Sequence, residues 1–243
     1  MDDNIVKLFG VKFHKVDEDG AFKRFLYLLN RKTYSMIFTP NPEIVMMAQK
    51  DLEYKDILAE GDLVIPDGIG IIMASRIKKL GLEQRLPGIE MMESILKYCN
   101  NAKKSIYLLG SSNENVEKAA NNIKEAYPNL VIAGYHDGFF DEAEELKIVD
   151  KINEVKPDIL FVAMGAPKQE KWMYKHRKIL NVRVSMGVGG SLDVWAGAVK
   201  RAPKIFRSIG MEWFYRVITN PSRIKRSLVL PQFLLKVLLS RNG

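Results

Sequence analysis

The chain has 243 residues, of which 47% are apolar, so it can bury a full hydrophobic core and is not expected to be disordered. Its only cysteine, Cys99, excludes an internal disulfide, and the N-terminus does not join a basic segment to an apolar run as a signal peptide does. The longest apolar tract, Leu228 to Leu239, is shorter than the ~20 residues that span a bilayer. We therefore expect a cytosolic protein that does not cross the membrane.

The formal net charge of +8 is concentrated at one end of the chain. Residues 200–243 contain ten Lys or Arg and a single acid, Glu212, whereas residues 1–199 contain 27 basic and 28 acidic residues. A neutral body with a cationic tail predicts an anionic partner for the tail. Lipid headgroups, nucleic acid and a phosphorylated substrate are the alternatives.

The N-terminal region predicts a short strand or hairpin over residues 4–16, with Gly10 at the turn. Asp17 then predicts the N-cap of a helix that runs to about Asn30.

The next strand, Tyr34 to Phe38, stops at the loop Thr39-Pro40-Asn41-Pro42. The helix after it is predicted to carry apolar residues from Ile44 to Leu52, with Pro42 at the first helical position. Thr39 and Asn41 offer a hydroxyl and an amide to a ligand, although such a loop is also common before any helix. The sequence leaves both interpretations open.

Asp67 lies where an apolar strand beginning at Leu63 ends, followed at once by Gly68 and Gly70. In open α/β sheets ligands bind outside the carboxyl ends of the strands, where a carboxylate can act as a base. The alternative is that Asp67 caps the helix predicted from Ile69 to Ile77.

Arg85 lies in the loop between that helix and the next, which is predicted from Ile89 to about Asn101. Such an arginine is usually solvated, but after a strand-end carboxylate its planar guanidinium can also bind a diphosphate.

Four further strands are predicted, each followed by a loop with small or polar residues: Ser105 to Leu109, Leu130 to Ala133, Asp158 to Ala163, and Val182 to Met186. Helices are predicted at Glu114 to Tyr127 and Glu142 to Val155. His136 is placed in a loop, and no second histidine or cysteine lies at metal-ligand spacing from it.

The loops after the last two of these strands are candidates for ligand binding. Lys168 and Gln169 are predicted at the positive end of a helix that has Pro167 in its first turn. The run from Gly187 to Asp193 contains three glycines in four residues, so a ligand can approach the backbone closely near Gly189. That run lacks the spacing of a dinucleotide fingerprint, and NAD is not predicted as a cofactor.

Alternating strands and helices from residue 34 to residue 199 predict an α/β fold: a Rossmann-like, largely parallel sheet with helices on both faces. We assign residues 1–199 to this core and residues 200–243 to a basic amphipathic helical appendage. Two helices are predicted in the appendage, Pro203 to about Thr219 and Pro221 to about Ser240. Basic residues beside aromatics and leucines suit a helix at a membrane surface. A helix pair packed on the core is the alternative.

Taken together, the loop motifs resemble those of the WecG/TagA/CpsF glycosyltransferases, glycosyltransferase family 26. The resemblance runs in order from about residue 4 to Arg216, with Gly110-Ser111 where relatives often have paired glycines. It rests on Thr39-Pro40-Asn41, Pro66-Asp67-Gly68-Ile69-Gly70, Met164-Gly165-Ala166-Pro167-Lys168-Gln169-Glu170, Gly189-Gly190-Ser191-Leu192-Asp193, Ala196-Gly197 and Arg201-Ala202-Pro203.

The resemblance implies an inverting, metal-independent transfer of N-acetylmannosamine from UDP-ManNAc to a GlcNAc-diphosphate polyprenol at the cytosolic membrane face. In the teichoic-acid branch of the family this reaction forms the linkage disaccharide of the cell wall. Asp67 would be the catalytic base. The substrate-binding residues would be Thr39, Asn41, Arg85, Gln169, Gly189 and Asp193, joined by the tail residues Arg216, Arg223 and Arg226.

No metal and no other cofactor are expected, since no cluster of acids in the sequence suggests a metal site and arginines can stabilise the departing diphosphate. The partners implied are a UDP-sugar donor, the polyprenyl-linked acceptor and an anionic membrane bound by the tail. The protein would be peripheral on the inner face of the cell membrane. A homo-oligomer is left open.

Three alternatives remain at this stage. The donor could be UDP-ManNAcA or UDP-glucose within the same family, or the chain could be a soluble α/β enzyme of another class with a nucleotide substrate. A nucleic-acid-binding module is disfavoured, because phosphate grooves do not need the large aliphatics of Phe233-Leu234-Leu235 and Val237-Leu238-Leu239.

Overall fold

The computed structural model describes residues 4–208, 210–219 and 228–240. The elements of the first half are β1 (Ile5–Leu8), β2 (Val11–His14), α1 (Glu18–Asn30), β3 (Ser35–Phe38), α2 (Pro42–Ala48), α3 (Leu52–Ala59), β4 (Leu63–Val64), α4 (Ile69–Lys78) and α5 (Gly88–Ala102). Those of the second half are β5 (Ser105–Gly110), α6 (Asn113–Ala126), β6 (Val131–His136), α7 (Glu142–Val155), β7 (Ile159–Ala163), α8 (Lys168–His176), β8 (Val184–Gly187), α9 (Ser191–Trp195), α10 (Lys204–Ser208), α11 (Glu212–Thr219) and α12 (Val229–Leu239).

Six strands form one sheet in the order β4-β3-β8-β7-β5-β6, and every pairing in it is parallel. The predicted α/β fold with a parallel sheet is confirmed. β1 and β2 pair separately as an antiparallel hairpin, also as predicted. Because the six strands run in the same direction, their carboxyl ends and the loops that follow them lie along one edge of the sheet.

A hydrophobic core covers each face of the sheet, and the central strand β7 shows how one strand serves both. Its side chains alternate: Leu160 and Val162 belong to one core, while Ile159, Phe161 and Ala163 belong to the other. The β1–β2 hairpin, α2, α3, α4 and α8 pack into the first core. Side chains of α1, α5, α6 and α9 pack into the second. A strand buried on both faces reads as a continuous apolar run, which is why β7 was recognisable in the sequence.

Two elements differ from their prediction. The single helix expected from Ile44 to Leu52 is two helices, because Asp51 caps a new one by accepting a hydrogen bond from the N–H of Tyr54 at 2.9 Å. The strand predicted to end at Ala133 continues to His136, since β6 stays paired with β5 beyond a register shift. His136 therefore ends a strand and does not lie in the loop.

The tail also differs from its prediction. The helix expected from Pro203 to Thr219 is divided into α10 and α11 near Gly210, whose φ of +73° favours glycine. A Cβ on Gly210 would lie 2.9 Å from Ile69, so this turn is packed directly on the start of α4. The predicted break at Asn220-Pro221 lies outside the described residues.

The last helix, α12, packs on α2 and α4. Phe233 and Val237 are fully buried in the same core as those helices, and the Phe233 ring meets the ring of Phe9 edge-on at 6.0 Å between centroids. A Cβ on Gly70 would lie only 2.5 Å from Leu230, so α12 and α4 are in close contact. The sequence left open whether this helix packs on the core or lies at a membrane surface. The buried side of α12 packs on the core.

Within the three described ranges, no helix combines the length and the apolar character needed to cross a membrane.

Candidate active site

A cleft of about 300 Å³ opens at the carboxyl-terminal edge of the parallel sheet. The loops after β3, β4, β7 and β8 line it, as the strand directions require. The lining includes six of the residues that the sequence singled out: Thr39, Asn41, Asp67, Gln169, Gly189 and Asp193.

Asp67 lies in this lining just after β4. Its backbone N–H donates to the carbonyl of Pro40 at 3.1 Å, and its Oδ2 lies 3.4 Å from the backbone nitrogen of Gly88, the first residue of α5. The N-cap position of α4 is occupied by Gly68, and no described side chain caps that helix. The capping interpretation of Asp67 is therefore wrong. Its carboxylate instead lies beside the first turn of α5.

Thr39 and Asn41 line the cleft from the loop after β3. Asn41 Oδ1 accepts a hydrogen bond from the N–H of Ile44 at 3.0 Å and caps α2. Asn41 is thus a helix cap that also faces the cleft, and the amide nitrogen is not needed for the cap. A Cβ on Gly88 would lie 3.1 Å from Thr39 Oγ1, so the start of α5 and this loop approach each other closely.

Gln169 is buried under the loop that follows β8. Its Oε1 accepts a hydrogen bond from the N–H of Gly189 at 3.0 Å, and its Nε2 donates to Glu170 Oε1 at 2.7 Å. Both ends of the amide are therefore engaged within the protein. A Cβ on Gly187 would lie 2.8 Å from Gln169 Nε2, so a larger residue there would displace the amide. In this structure Gln169 holds the glycine loop in place.

Glu170 extends this arrangement into the core. The residue is 1% exposed, and its Oε2 accepts a hydrogen bond from the hydroxyl of Tyr54 at 3.0 Å. Burial raises the pKa of Glu170 above its usual value, while the hydrogen bonds from Gln169 and Tyr54 oppose that shift. Burial, reinforced by the Glu170 carboxylate, also raises the pKa of Tyr54, so its hydroxyl remains a donor. Tyr54 was not singled out in the sequence analysis.

Asp193 lies in the first turn of α9 and lines the cleft near the end of β8. Its Oδ1 accepts hydrogen bonds from the Ser111 hydroxyl and from Asn115 Nδ2, the latter at 3.1 Å. Ser111 was singled out only for its loop, and Asn115 was not considered. Neither of them lines the cleft.

Arg85 is placed beside the cleft by an ion pair. Its Nη1 lies 3.2 Å from Oε2 of Glu212, a residue of α11 that does line the cleft. Both side chains are mostly buried, with 17% and 11% of their surface exposed. The tail therefore reaches the edge of the site through its only acid. Arg216 also belongs to α11, whereas Arg223 and Arg226 lie outside the described residues.

The sequence placed Lys168 at the positive end of a helix as a candidate for binding an anion. In the structure its ammonium group is engaged outside the cleft lining. Its Nζ donates to the carbonyl of Gly138 at 2.8 Å and lies 5.0 Å from the centroid of the Phe140 ring. No group of three or more His, Cys, Asp or Glu side chains in the described ranges is arranged to hold a metal ion. The expected metal independence stays a prediction.

The comparison with family models decides the classification. Residues 6–243 match the model described as the glycosyl transferase WecG/TagA/CpsF family. The chain belongs to this family. The resemblance drawn from the loop motifs is thereby confirmed, and the match extends through the basic tail.

Two curated relatives carry the same name, N-acetylglucosaminyldiphosphoundecaprenol N-acetyl-beta-D-mannosaminyltransferase. The protein of Bacillus subtilis (strain 168) is 39% identical over 212 residues, which cover 87% of this chain and 82% of the relative. The protein of Staphylococcus aureus (strain NCTC 8325 / PS 47) is 41% identical over 212 residues, which cover 87% of this chain and 83% of the relative.

Proposed function

We propose that this enzyme transfers N-acetylmannosamine from UDP-ManNAc to GlcNAc-diphosphate-undecaprenol, with inversion, and so forms the β-1,4 linkage disaccharide of wall teichoic acid. The observation that carries the proposal is a strand-end carboxylate, Asp67, in a cleft of a chain that is 39% identical to a relative with that activity in its name. The relative's name supplies the acceptor and the sugar. The UDP leaving group comes from the family resemblance.

The chemistry needs one base and a site for a leaving anion. The acceptor hydroxyl attacks the anomeric carbon of the donor sugar from the face opposite UDP. Its proton passes to the Asp67 carboxylate as the new C–O bond forms, and the bond to the UDP oxygen breaks with its electron pair going to the diphosphate. Attack from the opposite face inverts the anomeric centre. Asp67 Oδ2 lies 3.4 Å from the first backbone nitrogen of α5, which fixes the position of the carboxylate beside the cleft.

The departing diphosphate needs positive charge, which we assign to Arg85 and to one or more of Arg216, Arg223 and Arg226. Arg85 already lies at the edge of the cleft through its contact with Glu212. In single alanine variants of the three tail arginines, we expect at least one to lose turnover while all three still bind vesicles. Equal turnover in all three variants would refute a role of the tail in binding the diphosphate.

We further propose that the tail binds an anionic bilayer at the inner face of the membrane, where a polyprenyl acceptor is embedded. Exposed apolar side chains support this role on α10, α11 and α12: Ile205 (74% exposed), Ile218 (60%), Leu235 (56%), Leu238 (66%) and Leu239 (73%). Each of the ten basic residues of 200–243 that reaches an anionic surface adds about 1 kcal/mol to binding.

The decisive experiment identifies the donor. Full-length protein is incubated with a polyprenyl-diphosphate-GlcNAc acceptor and a mixture of UDP-ManNAc, UDP-ManNAcA and UDP-glucose, and mass spectrometry measures which donor is consumed. We expect loss of UDP-ManNAc alone and a product heavier by one N-acetylhexosamine. Consumption of UDP-ManNAcA or UDP-glucose instead would refute UDP-ManNAc as the donor. If no donor is consumed, the transferase proposal is refuted.

The same assay tests the base. Asp67→Asn should lower turnover by about a hundredfold or more, the scale of lost general-base catalysis, while UDP binding persists. The control is Asp141→Asn, since Asp141 caps α7 through its side chain outside the cleft and asparagine also caps helices. Wild-type turnover in Asp67→Asn would reject the assignment.

A further inference from the structure

Asp193 has one carboxylate oxygen engaged by the protein and one directed elsewhere. Oδ1 accepts from Ser111 and from Asn115. Within the described residues no hydrogen bond is formed to Oδ2. This oxygen faces Gly190, on which an added Cβ would lie 3.7 Å from Oδ2. A carboxylate oxygen can accept two hydrogen bonds, so Oδ1 is fully used and Oδ2 keeps its capacity.

The two donors belong to a rigid part of the fold. Ser111 has a φ of +60°, and its backbone is held on both sides: its N–H donates to Ala163 at 3.0 Å, and its carbonyl accepts from Gly138 at 2.9 Å. A non-glycine residue keeps this left-handed conformation only where its surroundings fix it. Asn115 lies in the first turn of α6, where its own N–H is bound by the capping Ser112 at 3.3 Å.

The strand order indicates which part of a sugar nucleotide would reach Asp193. Asp67 follows β4, and Asp193 follows β8, which is two strands away in the sheet. Neighbouring strands are about 4.8 Å apart, so the ends of β4 and β8 are about 10 Å apart. That is about the length of a sugar plus a diphosphate. If the anomeric carbon lies beside Asp67, the nucleoside lies towards Asp193.

We infer that Asn115 is a positioning residue for substrate binding: with Ser111 it fixes the Asp193 carboxylate so that Oδ2 accepts a hydrogen bond from a hydroxyl or N–H of the donor nucleoside. This inference rests on the proposed function. Asn115 does not line the cleft and acts only through Asp193. Its amide is required as a donor, because a carboxylate at the same place would repel Asp193.

The test compares Asn115 with Asn122, a second asparagine about two turns further along α6. Asn122 Nδ2 donates to the carbonyl of Trp195 at 2.8 Å, so it joins α6 to α9 as Asn115 does, but neither Asn122 nor Trp195 lines the cleft. Asn115→Leu should weaken UDP binding about tenfold in titration calorimetry of the full chain, and it should raise KM for the donor about tenfold. We expect kcat and KM for the acceptor to stay within about twofold of wild type.

Asn122→Leu should leave UDP binding and the donor KM unchanged. Asn115→Asp keeps the side-chain volume and a favourable charge at the start of α6, so it tests the inference if the leucine variant folds poorly. It should weaken UDP binding at least as much as Asn115→Leu does. UDP affinity within about twofold of wild type in both Asn115 variants, or equal weakening in Asn122→Leu, would overturn the inference. Failure of the wild-type chain to bind UDP would refute the proposed function instead.

Discussion

The buried hydrogen bond between Tyr54 and Glu170 allows a prediction with a defined size. Tyr54 is fully buried and Glu170 is 1% exposed, and the hydroxyl lies 3.0 Å from the carboxylate. Tyr54→Phe removes this donor without removing the ring, so the carboxylate keeps Gln169 as its other side-chain donor. A hydrogen bond to a charged group contributes about 1.5–3 kcal/mol, so we expect the free energy of unfolding to fall by about 2 kcal/mol. For a chain of this length that lowers Tm by about 4–8 °C.

The loss should depend on pH in a stated direction. Burial raises the pKa of Glu170 in the folded protein, so the folded state binds this proton more tightly than the unfolded state. Below the pKa of the unfolded state, near 4.5, the protonated Glu170 makes its full contribution to the free energy of unfolding. That contribution is lost as the pH rises through the raised pKa of the folded state. The Tyr54 hydroxyl stabilises the ionised form, so its removal raises the pKa of Glu170 further. The deficit of Tyr54→Phe should therefore be larger at pH 8 than at pH 5.

Urea unfolding followed by circular dichroism at both pH values measures this difference. The control is Tyr107→Phe, because Tyr107 is also buried, at 4% exposure, and the described residues give its hydroxyl no hydrogen bond. We expect the control to stay within about 0.5 kcal/mol of wild type. A similarly small effect of Tyr54→Phe at pH 8, or a larger deficit at pH 5 than at pH 8, would show that the carboxylate does not depend on the tyrosine.

Three further predictions concern the cleft and the tail. Activity should survive excess EDTA, because arginines stabilise the leaving diphosphate; loss of turnover that magnesium or manganese restores would contradict this. Gly187→Ala should lower kcat/KM, because its Cβ would lie 2.8 Å from Gln169 Nε2, and steady-state kinetics with unchanged values would show that the amide is not needed there. Replacing Leu235 and Leu239 together by Asp should reduce co-sedimentation with anionic vesicles at unchanged Tm. The control Leu146→Asp on α7, where the leucine is 58% exposed, should not reduce it. Equal vesicle binding by all variants would show that α12 is not part of the membrane-binding surface.

The sequence predicted the parallel sheet because its strands are apolar runs, each bounded by glycine, proline or polar residues. The order of strand, loop and helix places the loops at one edge, and the family resemblance named six residues there that line the cleft, whereas Arg85 lies beside it. The sequence could not identify the partners within the site. Tyr54 and Glu170 are 116 positions apart, and Asn115 and Asp193 are 78 apart, so local patterns carry no signal of either contact.

Other differences have local causes that the periodicity of apolar residues does not register. Asp51 ends one helix and starts another within an otherwise continuous apolar pattern. In the tail, leucines at helical spacing are equally consistent with burial and with a membrane surface. α12 uses both: Phe233 and Val237 enter the core, while Leu238 and Leu239 remain exposed.

The contact between Phe9 and Phe233 joins the first turn of the chain to its last described helix. Lys236 lies 5.1 Å from the centroid of the same Phe9 ring, so the hairpin and α12 meet at more than one side chain. During synthesis, α12 is translated long after α2 and α4, because it begins about 150 residues beyond the end of α4. The core that contains α2 and α4 therefore stays open on one side until α12 has been translated, and a chain that stops before α12 leaves Phe9 and its neighbours exposed to aggregation.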